Sequence, residues 1–214
     1  TFSPENFPKR FLRLSSIGDQ LKDVVSVSRY VLVLMCQGVH LLYTDGTDVF
    51  KDTLSQSGNG TPWERSVITF GNTAFWAASD GPRILTVSSE PNIEGHRGAI
   101  QALGAPQIRQ WFRDADLAGQ DVHGGIDIRN HSIRWRKKID DNTFQAVQYS
   151  FETQRWSLID DDNGIGYVES LYAGSAVAAE SRLYSITKEG AAFEVNYDGL
   201  AHPYDGKTVQ GTVG

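Results

Sequence analysis

Apolar residues in this chain come in short runs, each broken by a polar pair. Segments 24–28, 30–36 and 39–44 alternate or run apolar and are interrupted at Arg29, Gln37-Gly38 and Asp45-Gly46. Gly and Asp tolerate positive φ, so such breaks carry hairpin-turn chemistry between strands. A second set, 66–70, 73–78 and 83–87, is separated by Gly71-Asn72 and Asp80-Gly81-Pro82. A third, 125–129, 132–137, 144–150 and 156–160, has separators at Asn130-His131, 140–142 and Glu152-Thr153. The fourth is 167–173, 176–179, 182–187 and 191–197, with turns at Gly174-Ser175, Glu180-Ser181 and Glu189-Gly190.

The four sets repeat one plan: a strand, a polar turn, a strongly apolar strand, another turn and another strand. Residues 26–32 align loosely with 67–75, 126–133 and 171–177. The spacing, on the order of 40–60 residues, is near or above the ~40–50 typical of propeller blades. A small meander cannot hide both faces alone and must pack on its neighbours. The expected fold is therefore all-β: propeller-like repeats of four-stranded antiparallel blades. A β-sandwich without a true repeat is the alternative.

One segment breaks the pattern. Residues 105–118 place Ile108, Trp111, Phe112 and Ala115 at the i, i+3, i+4, i+7 spacing of an amphipathic helix. Pro106 suits its first turn and Gly119 its end. This predicts a short helical insertion between the second and third sets. Residues 1–20, with Pro4, Pro8 and Lys9-Arg10, read as an N-terminal strap or the end of a preceding blade, and 21–214 as the propeller-like domain. Residues 55–62 read as a loop.

Composition narrows the functional classes. The chain has 214 residues, the length of one domain or one domain with an extension, and its shares of 40% hydrophobic and 21% charged residues are those of a globular protein. The first residue is Thr, so a processed N-terminus or a stretch of a longer chain is expected. A formal net charge of −6 argues against gripping a nucleic-acid backbone, so no sequence-specific nucleic acid is expected. No apolar stretch approaches the ~18 residues of a membrane helix, so no membrane association is expected. One cysteine, Cys36, excludes a disulfide within the chain, and its apolar run predicts a buried, inert thiol.

The recognisable motifs favour turns over chemistry. Residues 201–208 meet a loose form of the phosphate loop, yet Pro203 interrupts them and a poor helix former follows. Gly58-Asn59-Gly60 lacks the third glycine of a dinucleotide fingerprint. Asp160-Asp161-Asp162-Asn163-Gly164 resembles a calcium loop, but Gly164 in its sixth place would put Ile159 first, where an oxygen ligand is needed. A solvated acidic turn is the better reading there, and a turn also suits Asp45-Gly46-Thr47-Asp48. No pair among His40, His96, His123, His131 and His202 has zinc-site spacing, and no Gly-x-Ser-x-Gly elbow occurs. No catalytic residue, metal or cofactor is expected.

The most specific signal is structural. Tyr149 and Trp156 flank a polar turn in which Thr153 can hydrogen-bond its own backbone and close a hairpin. Trp156 would then enter the gap between blades. Tyr149, Thr153 and Trp156 are thus the inter-blade candidates. Gly124-Gly125, at a strand entry, suits a close backbone approach.

From Gly124-Gly125 to Tyr149-Ser150-Phe151-Glu152-Thr153-Gln154-Arg155-Trp156, the chain resembles one kelch blade, with Ser150 in place of its Asp. More broadly, it resembles the β-propeller regions of bacteriophage tail proteins: the tail nozzle (tubular) and tail accessory proteins of short-tailed phages. Val31-Leu32-Val33-Leu34 with Gln37-Gly38-Val39-His40-Leu41-Leu42-Tyr43 carries this likeness. So do the run from Arg65 to Trp76, Ser79-Asp80-Gly81-Pro82, Ile133-Arg134-Trp135, Val147-Gln148-Tyr149 and Arg155-Trp156-Ser157. The resemblance implies a non-enzymatic structural virion protein of the tail or neck. It also implies a nozzle or tail-tube component forming a ring around the DNA channel, assembled in the host cytoplasm. The expected partners are other tail, neck and portal-adaptor proteins and further copies in a cyclic homo-oligomer. The alternative is a glycan-binding or glycan-cleaving propeller for host recognition, with Trp63, Trp76, Trp111 or Tyr172 as stacking platforms. A kelch-like adaptor is a third reading.

Overall fold

The computed structural model describes residues 18–44, 48–88, 98–128, 131–139, 144–161, 170–174, 182–186, 192–194 and 208–209, with backbone alone at 144 and from 159 onward. The described residues form four four-stranded antiparallel sheets, each wound in sequence order. The first sheet holds β1 (Leu21–Val27), β2 (Tyr30–Met35), β3 (Val39–Thr44) and β4 (Val49–Ser55). The second holds β5 (Ile68–Phe70), β6 (Thr73–Ala78), β7 (Gly81–Thr86) and β8 (Gln101–Ala102). After α1 (Pro106–Leu117) come β9 (Val122–Asp127), β10 (Ser132–Lys138), β11 (Phe144–Ser150) and β12 (Arg155–Asp161). The last sheet holds β13 (Ser170–Gly174), β14 (Arg182–Ile186), β15 (Ala192–Glu194) and β16 (Thr208–Val209). The architecture is all-β and propeller-like, with one short helix inserted.

The first strands β1, β5, β9 and β13 meet one another in succession (β1 against β5, β5 against β9, β9 against β13), and the fourth strands form the opposite edges. Three of the segments that align in sequence fall on the first hairpins of their sheets, β1–β2, β5–β6 and β9–β10; the fourth, 171–177, begins in β13 and then leaves the described residues.

Strand β6 shows how stacking arises from alternation. Ala74 and Trp76 point to one side and join Leu32, Leu34, Val39 and Leu41 of the first sheet. Phe75 and Ala77 point to the other and join α1 and the third sheet through Phe112, Ile133 and Trp135. A strand buried on both faces loses the polar half of its pattern, which is why Thr73-Ala74-Phe75-Trp76-Ala77-Ala78 is almost wholly apolar.

The helix lies where the spacing predicts it, and its buried residues are Ile108, Trp111, Phe112 and Ala115. Ala105 and Ala118 are its caps, and Gly119 takes the left-handed φ of 62° that ends it. Other details depart from expectation. Strand β4 joins the first sheet although the charges of Lys51 and Asp52 interrupt its apolar pattern. Gly81 and Pro82 belong to β7, so the turn before it is confined to Ser79-Asp80. Asp160 and Asp161 end β12 and do not form the start of an acidic turn. The strap at 1–17, the turn at 45–47, the predicted strand at 176–179, the rest of the acidic motif at 162–164 and the phosphate-like motif before residue 208 lie outside the described residues.

Candidate functional site

The connection between the first and second sheets, residues 56–67, runs past the loop expected at 55–62 and is more than a loop. Gly60 N–H donates to Gln37 O at 3.0 Å and Thr61 N–H to Met35 O at 2.9 Å, which docks the connection on the β2–β3 turn. A Cβ at Gly60 would meet Met35 O and lie 2.7 Å from the Cys36 carbonyl carbon, so only glycine allows this approach. Asn59 O accepts the Trp76 indole N–H at 2.7 Å, and Asn59 Oδ1 accepts Arg83 Nε at 2.8 Å. Arg83, itself buried, also donates to Gly81 O at 3.1 Å and pairs with Asp80.

Farther along, Thr61 and Ser66 are fully buried and share a hydroxyl hydrogen bond of 2.9 Å, while Trp63 N–H donates to Thr61 Oγ1 at 3.2 Å. This folds the segment so that Trp63 Nε1 reaches Gln120 O (2.7 Å), just before β9. Arg65 O accepts Gly124 N–H at 2.9 Å, and Ser66 O accepts Trp135 Nε1 at 2.8 Å. A Cβ at Gly124 would sit 2.8 Å from Ser66 O, so the expected close approach at this glycine is real and brings Trp135 into reach. Three indoles thus fasten three sheets and the helix through one twelve-residue connection.

The β2–β3 turn is clamped from a second side. Asp19 accepts from the N–H groups of Gln37 (3.0 Å) and Gly38 (3.1 Å), and Cys36 N–H donates to Gln20 O at 2.7 Å. Cys36 is half-buried, where a buried thiol was expected, because this turn edges the sheet. Next to the clamp, buried His40 faces Thr53 Oγ1 at 3.2 Å. Burial holds its pKa below the ordinary imidazole value, Lys51 lowers it further, and Asp19 opposes both.

The three inter-blade candidates stand together on the third sheet. Tyr149 and Trp156 are opposite each other in the β11–β12 register, with ring centroids 5.1 Å apart. Trp156 stacks on Trp135 at 6.1 Å and, with Tyr149, packs against the core shared by the second and third sheets; Phe151 reaches the second sheet as well, 5.6 Å from Phe75. In the turn, Thr153 N–H donates to the Ser150 hydroxyl at 3.3 Å, so the side chain that closes the turn here is that of Ser150, where Thr153 was expected to supply it. Trp76 and Trp135 each donate an indole hydrogen bond to the 56–67 connection between sheets. Both are the fourth residue of the second strand of their sheet, a shared position visible in the aligned hairpins.

The other face of β10 is polar. Arg134 and Arg136 are 2% and 7% exposed; Gly125 and Gln148 flank the first, His123 and Ala146 the second. Burying a guanidinium is costly, and each of the two arginines makes at least one further interaction that offsets this cost. On the opposite face, Lys137 lies 4.5 Å over the Trp111 ring and donates to Trp111 O at 3.2 Å. Burial holds its pKa below the ordinary lysine value, with Asp114 opposing. Among the described residues, no three His, Cys, Asp or Glu side chains are grouped to hold a metal, and no helix is long and apolar enough to cross a membrane.

No family model matches the chain, and no curated protein matches it. A chain in the crystal structure of a nidogen/laminin complex is similar in structure at 14% identity and a TM-score of 0.46. The similarity covers 90% of the present chain and 64% of that one.

Trp63, Trp76 and Trp111 are all buried, at 5%, 0% and 6% exposure. They are therefore not the stacking platforms that a glycan-binding propeller would present. The side chain of Tyr172 lies outside the described residues.

Proposed function

We propose that the protein is a structural component of a bacteriophage tail or neck, without catalytic activity, built into a cyclic assembly of its own copies around the DNA channel. The observation that supports this reading best is the 56–67 connection. Its buried polar groups fasten sheets to one another, which makes a rigid block whose function lies in its outer surfaces. A net charge of −6 suits the wall of a DNA conduit, which must let the duplex slide without gripping it. The finer assignment to the tail rests on the sequence resemblance to tail nozzle and accessory proteins. On this reading the partners are neighbouring tail, neck and portal-adaptor proteins.

Electron microscopy of the purified protein tests the proposal. Symmetric rings, or density for the chain at the tail of an intact virion, are the expected result. A monomer that is retained on a glycan array would overturn it.

A further inference from the structure

The outer edges of the sheets differ in how they meet solvent. An edge strand exposes unpaired backbone groups that can template another strand, and soluble proteins blunt such edges with mid-strand charge, bulges or shortness. Strand β4 carries Lys51-Asp52 at its centre, and its pairing with β3 has a register shift between Val39 and His40. Strand β8 has only two residues. Strand β12 has no charge at its centre, its charged residues Arg155, Asp160 and Asp161 standing at its ends. It is seven residues long, pairs with β11 without a shift, contains no Pro or Gly, and has no strand on its other side among the described residues.

Its sequence, Arg-Trp-Ser-Leu-Ile-Asp-Asp, is also complementary to itself. Two antiparallel strands related by a two-fold axis normal to the sheet place residues i and j opposite when both lie on the same face, so that i + j is even. An axis at Leu158 satisfies this. Leu158, 58% exposed, then meets its own counterpart, and Trp156 is the diagonal neighbour on the same face. Position 155, an exposed arginine, falls opposite position 161, an aspartate, and the symmetry makes this pairing twice. The charges that keep a strand soluble alone therefore become attractive when two copies meet.

We infer that β12 is a homotypic docking edge, through which two copies of this chain join their third sheets into one continuous eight-stranded sheet. The contact goes beyond the proposed ring. A ring closes through two different patches, head to tail, whereas this contact joins like to like. It pairs two chains whether or not rings form, and it pairs two rings where they do.

Light scattering of the purified chain tests the inference. The wild type is expected as an even-numbered oligomer. Arg155→Asp, which sets like charges opposite each other, should halve the mass, and so should Leu158→Lys. Arg155→Asp combined with Asp161→Arg should restore it. Both Arg155 and Leu158 are exposed, so an unchanged far-ultraviolet circular dichroism spectrum is expected for each variant. A monomeric wild type, a mass unmoved by Arg155→Asp, or a double variant that stays at the halved mass would overturn the inference. Loss of rings with the pairing intact would count against the tail reading alone.

Discussion

Replacing Trp135 by Phe isolates the indole contact that joins the second and third sheets. Trp135 has no exposed surface, donates to Ser66 O at 2.8 Å, and lies between Phe112 (5.8 Å) and Trp156 (6.1 Å). Phenylalanine keeps most of the ring packing and removes the N–H. The Ser66 carbonyl then loses its indole donor, a loss worth about 1–3 kcal/mol when a buried group is left unsatisfied. The smaller ring leaves a void worth roughly 1 kcal/mol. The expected destabilisation is about 2–4 kcal/mol. Urea unfolding followed by far-ultraviolet circular dichroism measures it without relying on tryptophan emission. Trp156→Phe is the internal control, because Trp156 is half-buried and held by ring contacts; its cost should stay below about 1 kcal/mol. Trp76→Phe, with its N–H on Asn59 O, should behave like Trp135→Phe. Equal costs for Trp135→Phe and Trp156→Phe would refute the claim that indole-to-carbonyl bonds fasten the sheets.

Other outcomes follow from the same contacts. Gly60→Ala pushes a methyl group into the backbone of Met35 and Cys36 and should cost more than about 2 kcal/mol. Gly58→Ala, in open space but at φ 78°, should cost about 1 kcal/mol by the same urea titration. Asp19→Ala removes the acceptor for two turn amides and should cost about 1–2 kcal/mol, with faster hydrogen exchange at Gln37 and Gly38. His40 has a folded-state pKa below its ordinary 6.5, so on acidification the unfolded chain takes up the proton first. Its contribution is present above about pH 6.5 and is lost as pH falls through that value toward the folded pKa. Unfolding titrations at pH 7.5 and 5.5 should show this loss, and His40→Gln should reduce it.

Much of the fold is legible in the sequence, for a local reason. Hairpin turns and alternation are short-range signals, so β2, β3, β6, β10 and β11 fall close to where the pattern places them. The helix is legible for the same reason, since Ile108, Trp111, Phe112 and Ala115 share one face. The fourth strands β4 and β8 are not. Lys51-Asp52 interrupts the first, and the second is two residues long. The 56–67 connection is legible only in part, as a loop at 55–62 with its last residues taken into a strand, because Asn59, Gly60 and Ser66 act through partners far away in the chain. A clue was nonetheless present: Trp76 and Trp135 stand at equivalent places in hairpins that align. Tyr149 and Trp156 stand opposite each other across the hairpin that their spacing suggests, but sequence spacing cannot show that Phe151 also reaches the neighbouring sheet.

The order of strands is the most direct test of the stacked-sheet account, read from backbone nuclear Overhauser contacts in a deuterated sample. The account predicts pairing only between consecutive strands within each sheet, with contacts such as Val24–Val33, Thr69–Ala74, Ile126–Ile133 and Tyr149–Trp156. It also predicts that Trp76 and Phe75 report on different neighbouring sheets. Backbone pairing between strands here assigned to different sheets, as Greek-key wiring of two facing sheets would give, would contradict it.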